Sequence, residues 1–128
     1  MYFTYKGKSS NSFGLSIYKS NYLGCSSRNV EIIPIQGRSG SLIIDHGNDN
    51  NFNLYFECDI KNVDLDEVSL LIAKWLKGDI GYSELNIYRN GKVVKTFQAS
   101  FVSQIDIIEV AKKYGEIRLD FECKPQSE

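Results

Sequence analysis

The chain has 128 residues, 42% of them hydrophobic and 24% charged, with 15 Lys and Arg against 16 Asp and Glu for a formal net charge of -1. That composition excludes disorder, and a sequence pI near 5.9 gives no general pull toward nucleic acid or anionic membrane. The length predicts one domain over 1–128, large enough to bury a core without a staple, and no stretch approaches the roughly 18 apolar residues of a membrane span.

In chain order, Met1 to Gly7 reads as a short aromatic strand, Lys8 to Ser12 as a loop, and Phe13, Leu15 and Ile17 as an extended piece whose side chains alternate with small residues. Lys19 to Asn29 is polar and rich in Ser and Asn, which predicts a loop. Val30 to Ile35 is nearly continuous in apolar residues but carries Pro34. Such a run predicts a strand covered on both faces, and the proline places it at an edge or bulge; the combination hints at a second protein surface. Gly37-Arg38-Ser39-Gly40 predicts a tight connection returning through Leu42 to Asp45, so that 30–45 forms a hairpin-like unit. His46 to Asn51 is dense in turn formers.

Asn53 to Ile60 alternates cleanly, with Leu54, Phe56, Cys58 and Ile60 on one side. Asp64 to Lys77 is the clearest helix: Leu65, Val68, Leu71, Ile72, Trp75 and Leu76 recur at three- and four-residue spacing and predict one buried face. Asp64 suits the N-cap, Glu67 a capping box, and Gly78 a left-handed stop. Beyond the connection 78–81, Glu84 to Tyr88 and Val93 to Phe97 flank Asn90-Gly91, the strongest hairpin signal in the chain. Ser100 to Ile107 alternates as a strand would, Glu109 to Tyr114 suggests a helical turn ending at Gly115, and Glu116 to Cys123 is a last strand with Ile117, Leu119, Phe121 and Cys123 inward. The sum is mainly β (α+β): a two-sheet antiparallel β-sandwich of about eight strands with one flanking α-helix.

Chemistry is sparse. The only histidine, His46, lies in a Gly/Asn loop, which leaves no cluster for a transition metal and no support for a nucleophile triad. Asp45, Asn48, Asp49 and Asn50 offer oxygen ligands but lack the distal Glu of an EF-hand. The Gly37–Gly40 stretch lacks the Gly-Lys-Ser/Thr of a phosphate loop; its glycines suit positive φ in a turn, and Arg38 at the tip is placed to pair with a carboxylate of another chain. Cys25, Cys58 and Cys123 are odd in number and have no Cys-x-x-Cys spacing, so free thiols are expected, with a Cys58–Cys123 bridge as the one alternative. No enzyme and no cofactor is expected.

Phe3-x-Tyr5-x-Gly7, Ser12-Phe13-Gly14-Leu15, the run Val30-Glu31-Ile32-Ile33-Pro34-Ile35-Gln36-Gly37-Arg38-Ser39-Gly40-Ser41-Leu42, Trp75-Leu76 and Phe121-x-Cys123-Lys124-Pro125 together resemble the N-terminal domain of the phage distal tail protein (Dit) family, a siphophage tail component. The resemblance spans essentially the whole chain, through short motifs. It implies a tail-tube-like β-sandwich with a flanking helix, and six copies closed into a ring that joins tail tube to baseplate. It further implies a place in the virion tail after assembly in the host bacterial cytoplasm, contacts with tail-tube and baseplate proteins, and neither nucleic acid nor membrane as a partner. Ile33, Ile35, Gly37, Arg38 and Gly40 are then the expected oligomer interface, and Leu65, Val68, Ile72, Trp75 and Leu76 the core face of the helix. Family members usually continue past the Lys-Pro into a second, often galectin-like domain, whose binding roles do not transfer. The alternative is a carbohydrate- or receptor-binding β-sandwich using Tyr18, Tyr22 or Tyr55 as stacking rings.

Overall fold

The computed structural model describes residues 1–78 and 80–125. Its strands are β1 Tyr2–Tyr5, β2 Lys8–Ser9, β3 Leu15–Ser20, β4 Arg28–Pro34, β5 Ser41–Asp49, β6 Phe52–Lys61, β7 Ser83–Arg89, β8 Lys92–Ser100, β9 Ile107–Ala111 and β10 Tyr114–Cys123. A 3-10 turn spans Ser10–Phe13, and the helix α1 spans Leu65–Lys77. The protein is therefore mainly β with one helix among the described residues. Eight strands form a single antiparallel sheet in the order β2-β1-β7-β8-β10-β6-β3, with β9 beside β10, and it does not close into a barrel. The remaining two, β4 and β5, form a separate two-stranded ribbon.

The large sheet curls so that strands distant in its order meet across the core. Phe3 of β1 stacks on Phe56 of β6 with ring centroids 4.4 Å apart, although three strands separate them. Phe121 of β10 presents edges to Phe3, Tyr5, Phe56 and Phe101 at 5.7, 5.1, 6.0 and 5.2 Å. The predicted inward sets on 53–60 and 116–123 are all buried, because strict alternation assigns every second side chain to one face.

Helix α1 lies against this core. Asp64 caps it, accepting from the amides of Asp66 and Glu67, and Val68, Ile72, Trp75 and Leu76 are buried with Leu65 packed partly against them. Trp75 makes the decisive contacts: its indole stacks on Phe13 at 4.4 Å and Phe3 at 5.6 Å, and its Nε1–H donates to the Tyr5 carbonyl at 2.7 Å. Two expectations fail here. Leu71 is 48% exposed, at the flank of the buried stripe, and Gly78 closes the helix in right-handed geometry with φ -62. The connection predicted over 78–81 contains residue 79, which lies outside the described residues.

Elsewhere the boundaries differ for local reasons. Lys6 and Gly7, both at positive φ, turn the chain into β2, where a plain loop is expected. Residues 101–106 keep the alternating burial of a strand but join no ladder among the described residues, and the predicted helical turn at 109–114 is instead the β9–β10 hairpin. The segment 46–49 continues β5 instead of forming a loop. Asn90 and Gly91 take positive φ of 53 and 76 and join β7 to β8 as predicted.

A Cys58–Cys123 bridge is ruled out by register. Cys58 sits opposite Ile117 and Cys123 opposite Phe52, which separates them by roughly 20 Å along β6 at about 3.3 Å per residue. Both thiols are buried and pushed up to about 12, chiefly by desolvation.

Trp75→Ala is expected to destabilise the fold by about 3–5 kcal/mol, read from urea denaturation. A thiol reagent at neutral pH is expected to modify the exposed Cys25 quickly, and Cys58 and Cys123 only after unfolding.

Candidate assembly interface

The ribbon departs from the large sheet between β3 and β6 and is built from two runs of aliphatic residues. Cross-strand partners share a face, so the register Val30↔Asp45, Glu31↔Ile44, Ile32↔Ile43, Ile33↔Leu42 and Pro34↔Ser41 sorts the side chains. One face carries Val30, Ile32 and Ile43; the other carries Ile33, Ile35, Leu42 and Ile44. Every residue from Glu31 to Asn48 is exposed, and Ile32 and Ile43 reach 62% and 64%. The expectation that this strand is covered on both faces is therefore wrong within one chain: both faces are bare. An isolated two-stranded ribbon is marginal in water, and each half-exposed aliphatic that leaves water contributes roughly 1 kcal/mol, so the six exposed ones favour a partner only in concert.

The predicted interface residues all fall on this element. Ile33 and Ile35 are 37% and 38% exposed, while Gly37, Arg38 and Gly40 form its tip. The two glycines hold φ of 75 and 88 as the turn requires, and the Arg38 amide donates to the Ile35 carbonyl at 3.3 Å. Sequence reasoning left out the returning strand's Leu42, Ile43 and Ile44, although three aliphatics in a row carried the signal.

A polar clamp fixes the ribbon's root. Arg28 donates from Nε and Nη2 to the two Asp45 carboxylate oxygens, both at 2.9 Å, and lies 3.6 Å from Asp49. The Gly47 amide donates to Asp45 Oδ1 at 2.8 Å. The Arg28 hydrogen bond, then that of Gly47, holds the Asp45 carboxyl below its ordinary 3.8. Both oxygens of Asp45 are thus engaged, and among the described residues no three His, Cys, Asp or Glu side chains are grouped to hold a metal ion.

The tyrosines of the binding-module alternative do not form a platform. Tyr22 is buried, with its hydroxyl accepting from Arg89 at 3.0 Å. The Tyr55 ring is covered by the Arg118 guanidinium at 4.2 Å, and Arg118 also lies 3.3 Å from Asp120 and 3.8 Å from Glu57. Tyr18 alone is open, at 59% exposure. No family model matches this chain, and no curated protein matches its sequence.

Because Asp45's pKa is depressed in the fold, its stabilisation of the ribbon root is complete above the ordinary value of 3.8 and is lost as pH falls below it. The protection of the Gly47 amide against hydrogen exchange, relative to its intrinsic rate, is expected to fall over that range, and likewise in Arg28→Ala at neutral pH, with the β6–β10 ladder unaffected.

Proposed function

We propose that this chain is a structural protein of a phage or prophage tail whose task is assembly: copies associate head-to-tail into a hexameric ring linking tail tube to baseplate. In this reading it is not an enzyme and uses no cofactor; its partners are its own copies and the adjoining tail-tube and baseplate proteins, and it resides in the virion tail after assembly in the bacterial cytoplasm. The observation that supports it is the β4–β5 ribbon, aliphatic on both faces and bare in a single chain. Exposed apolar surface of this extent calls for a covering partner, and a projecting element received elsewhere on an identical copy gives a heterologous contact, which closes into a ring when its rotation permits. The sheet's two ends, brought face to face by Phe3 and Phe56, are then the layers of a tail-tube-like sandwich. The motifs at Gly37-Arg38-Ser39-Gly40 and Trp75-Leu76 supply the link to phage tails.

Sedimentation velocity across a concentration series, with negative-stain microscopy, is expected to show annular particles of six copies. Replacing Ile32 and Ile43 together by Asp is expected to leave a monomer whose large sheet and helix α1 stay folded by circular dichroism, since neither side chain is buried against that body. A wild-type chain that stays monomeric at every concentration, or a doubly substituted one that still forms annuli, overturns the reading.

A further inference from the structure

We propose that the acceptor for the ribbon is a groove at the start of α1 on the next copy, where the ribbon's aliphatic face enters beside Leu71 and the tip residue Arg38 pairs with Glu67. This rests on the head-to-tail reading and names the surface that completes it.

The groove encloses 250 Å³ between the 3-10 turn and the first turns of α1, and is lined by Phe13, Val63, Val68 and Leu71 with the acidic residues Asp64 and Glu67. Its floor is apolar and its rim is negative. Asp64 is committed to capping the helix. Glu67 is exposed, and among the described residues its carboxylate has no partner. Leu71, expected in the core, is instead half-exposed here and forms part of the groove's apolar wall.

The ribbon has the opposite pattern. Ile33, Ile35, Leu42 and Ile44 share one of its faces, with Glu31 at the root end of that face, and Arg38 stands at its tip with no side-chain partner among the described residues. An apolar strip ending in a guanidinium thus meets an apolar trough rimmed by a carboxylate, and the charges fix which end goes where.

Position makes the contact intermolecular. The ribbon is rooted beside Phe52, at one end of β6, and the groove begins at Val63, just past Lys61 at the other end. Ten residues of strand hold those ends apart, roughly 30 Å. Each copy thus carries its donor and its acceptor at opposite ends, as a repeating head-to-tail contact requires.

The test exchanges the charges in the full chain. Arg38→Glu and Glu67→Arg are each expected to weaken association about tenfold by sedimentation equilibrium, and the two combined to restore it to within about threefold of wild type. Leu71→Asp is expected to weaken association at least as much while the chain still unfolds in one cooperative transition. If Glu67→Arg and Leu71→Asp associate as wild type does, or the combined exchange restores nothing, the groove is not the acceptor. In that case loss of assembly in the Ile32→Asp, Ile43→Asp chain still stands for the ring, so the two failures are separable; a monomeric wild type ends both.

Discussion

The fold depends on the seat of Trp75. Its ring lies nearly parallel to Phe13 and Phe3, at interplanar angles of 12° and 14°, and Phe3 continues the pile onto Phe56. Four rings thereby join the 3-10 turn, the helix, the first strand and the sixth. The indole N–H would be left without a partner in this apolar setting, at a penalty of about 1–3 kcal/mol, but the Tyr5 carbonyl accepts it. That one polar bond fixes the indole's orientation as well as its depth, and so sets how α1 lies over the sheet. Tyr5 in turn donates its own hydroxyl to the Ala99 carbonyl at 3.4 Å, which carries the constraint across to β8.

This dense aromatic centre contrasts with the ribbon, which has no core of its own. Its strands are held by their mutual ladder and by the ionic root at Arg28, Asp45 and Asp49. Exposed ion pairs stabilise little, so the clamp orients the ribbon more than it strengthens it. The division of labour follows: the large sheet with α1 encloses a core of its own, and the ribbon is an appendage whose aliphatic side chains its own chain leaves bare.

What could be read from the residues was whatever depended on spacing within one element. The alternation on β6 and β10, the cap at Asp64, the buried stripe of α1 and the Asn90-Gly91 turn are local physics, and the structure agrees with each. What could not be read was which elements find each other. The aliphatic run at Val30–Ile35 looks the same whether it is buried in its own chain or bare, because composition records the need for cover and not its source. Leu71 sits at a spacing that fits the core stripe, and only the position of the 3-10 turn leaves it in an open groove. Residues 101–106 alternate like a strand because Phe101 and Ile105 pack inward, while the partner edge that would make them a strand is missing. On the ribbon, the turn was legible from glycine placement; the groove beside α1 was not, since Phe13, Val63 and Leu71 converge only in three dimensions.

The pairing of β1 with β7 sets Phe3 opposite Ile87, more than eighty positions downstream. During synthesis the first strand emerges early, yet its ladder with β7 cannot form until the segment Leu85–Tyr88 has been made. Long-range pairings of this kind are slow, and they leave apolar segments uncovered in the meantime. Tyr2 and Phe3 therefore wait for β7 with only the short β1–β2 pairing beside them, and β10, which joins β8 to β6, is the last strand to take its place.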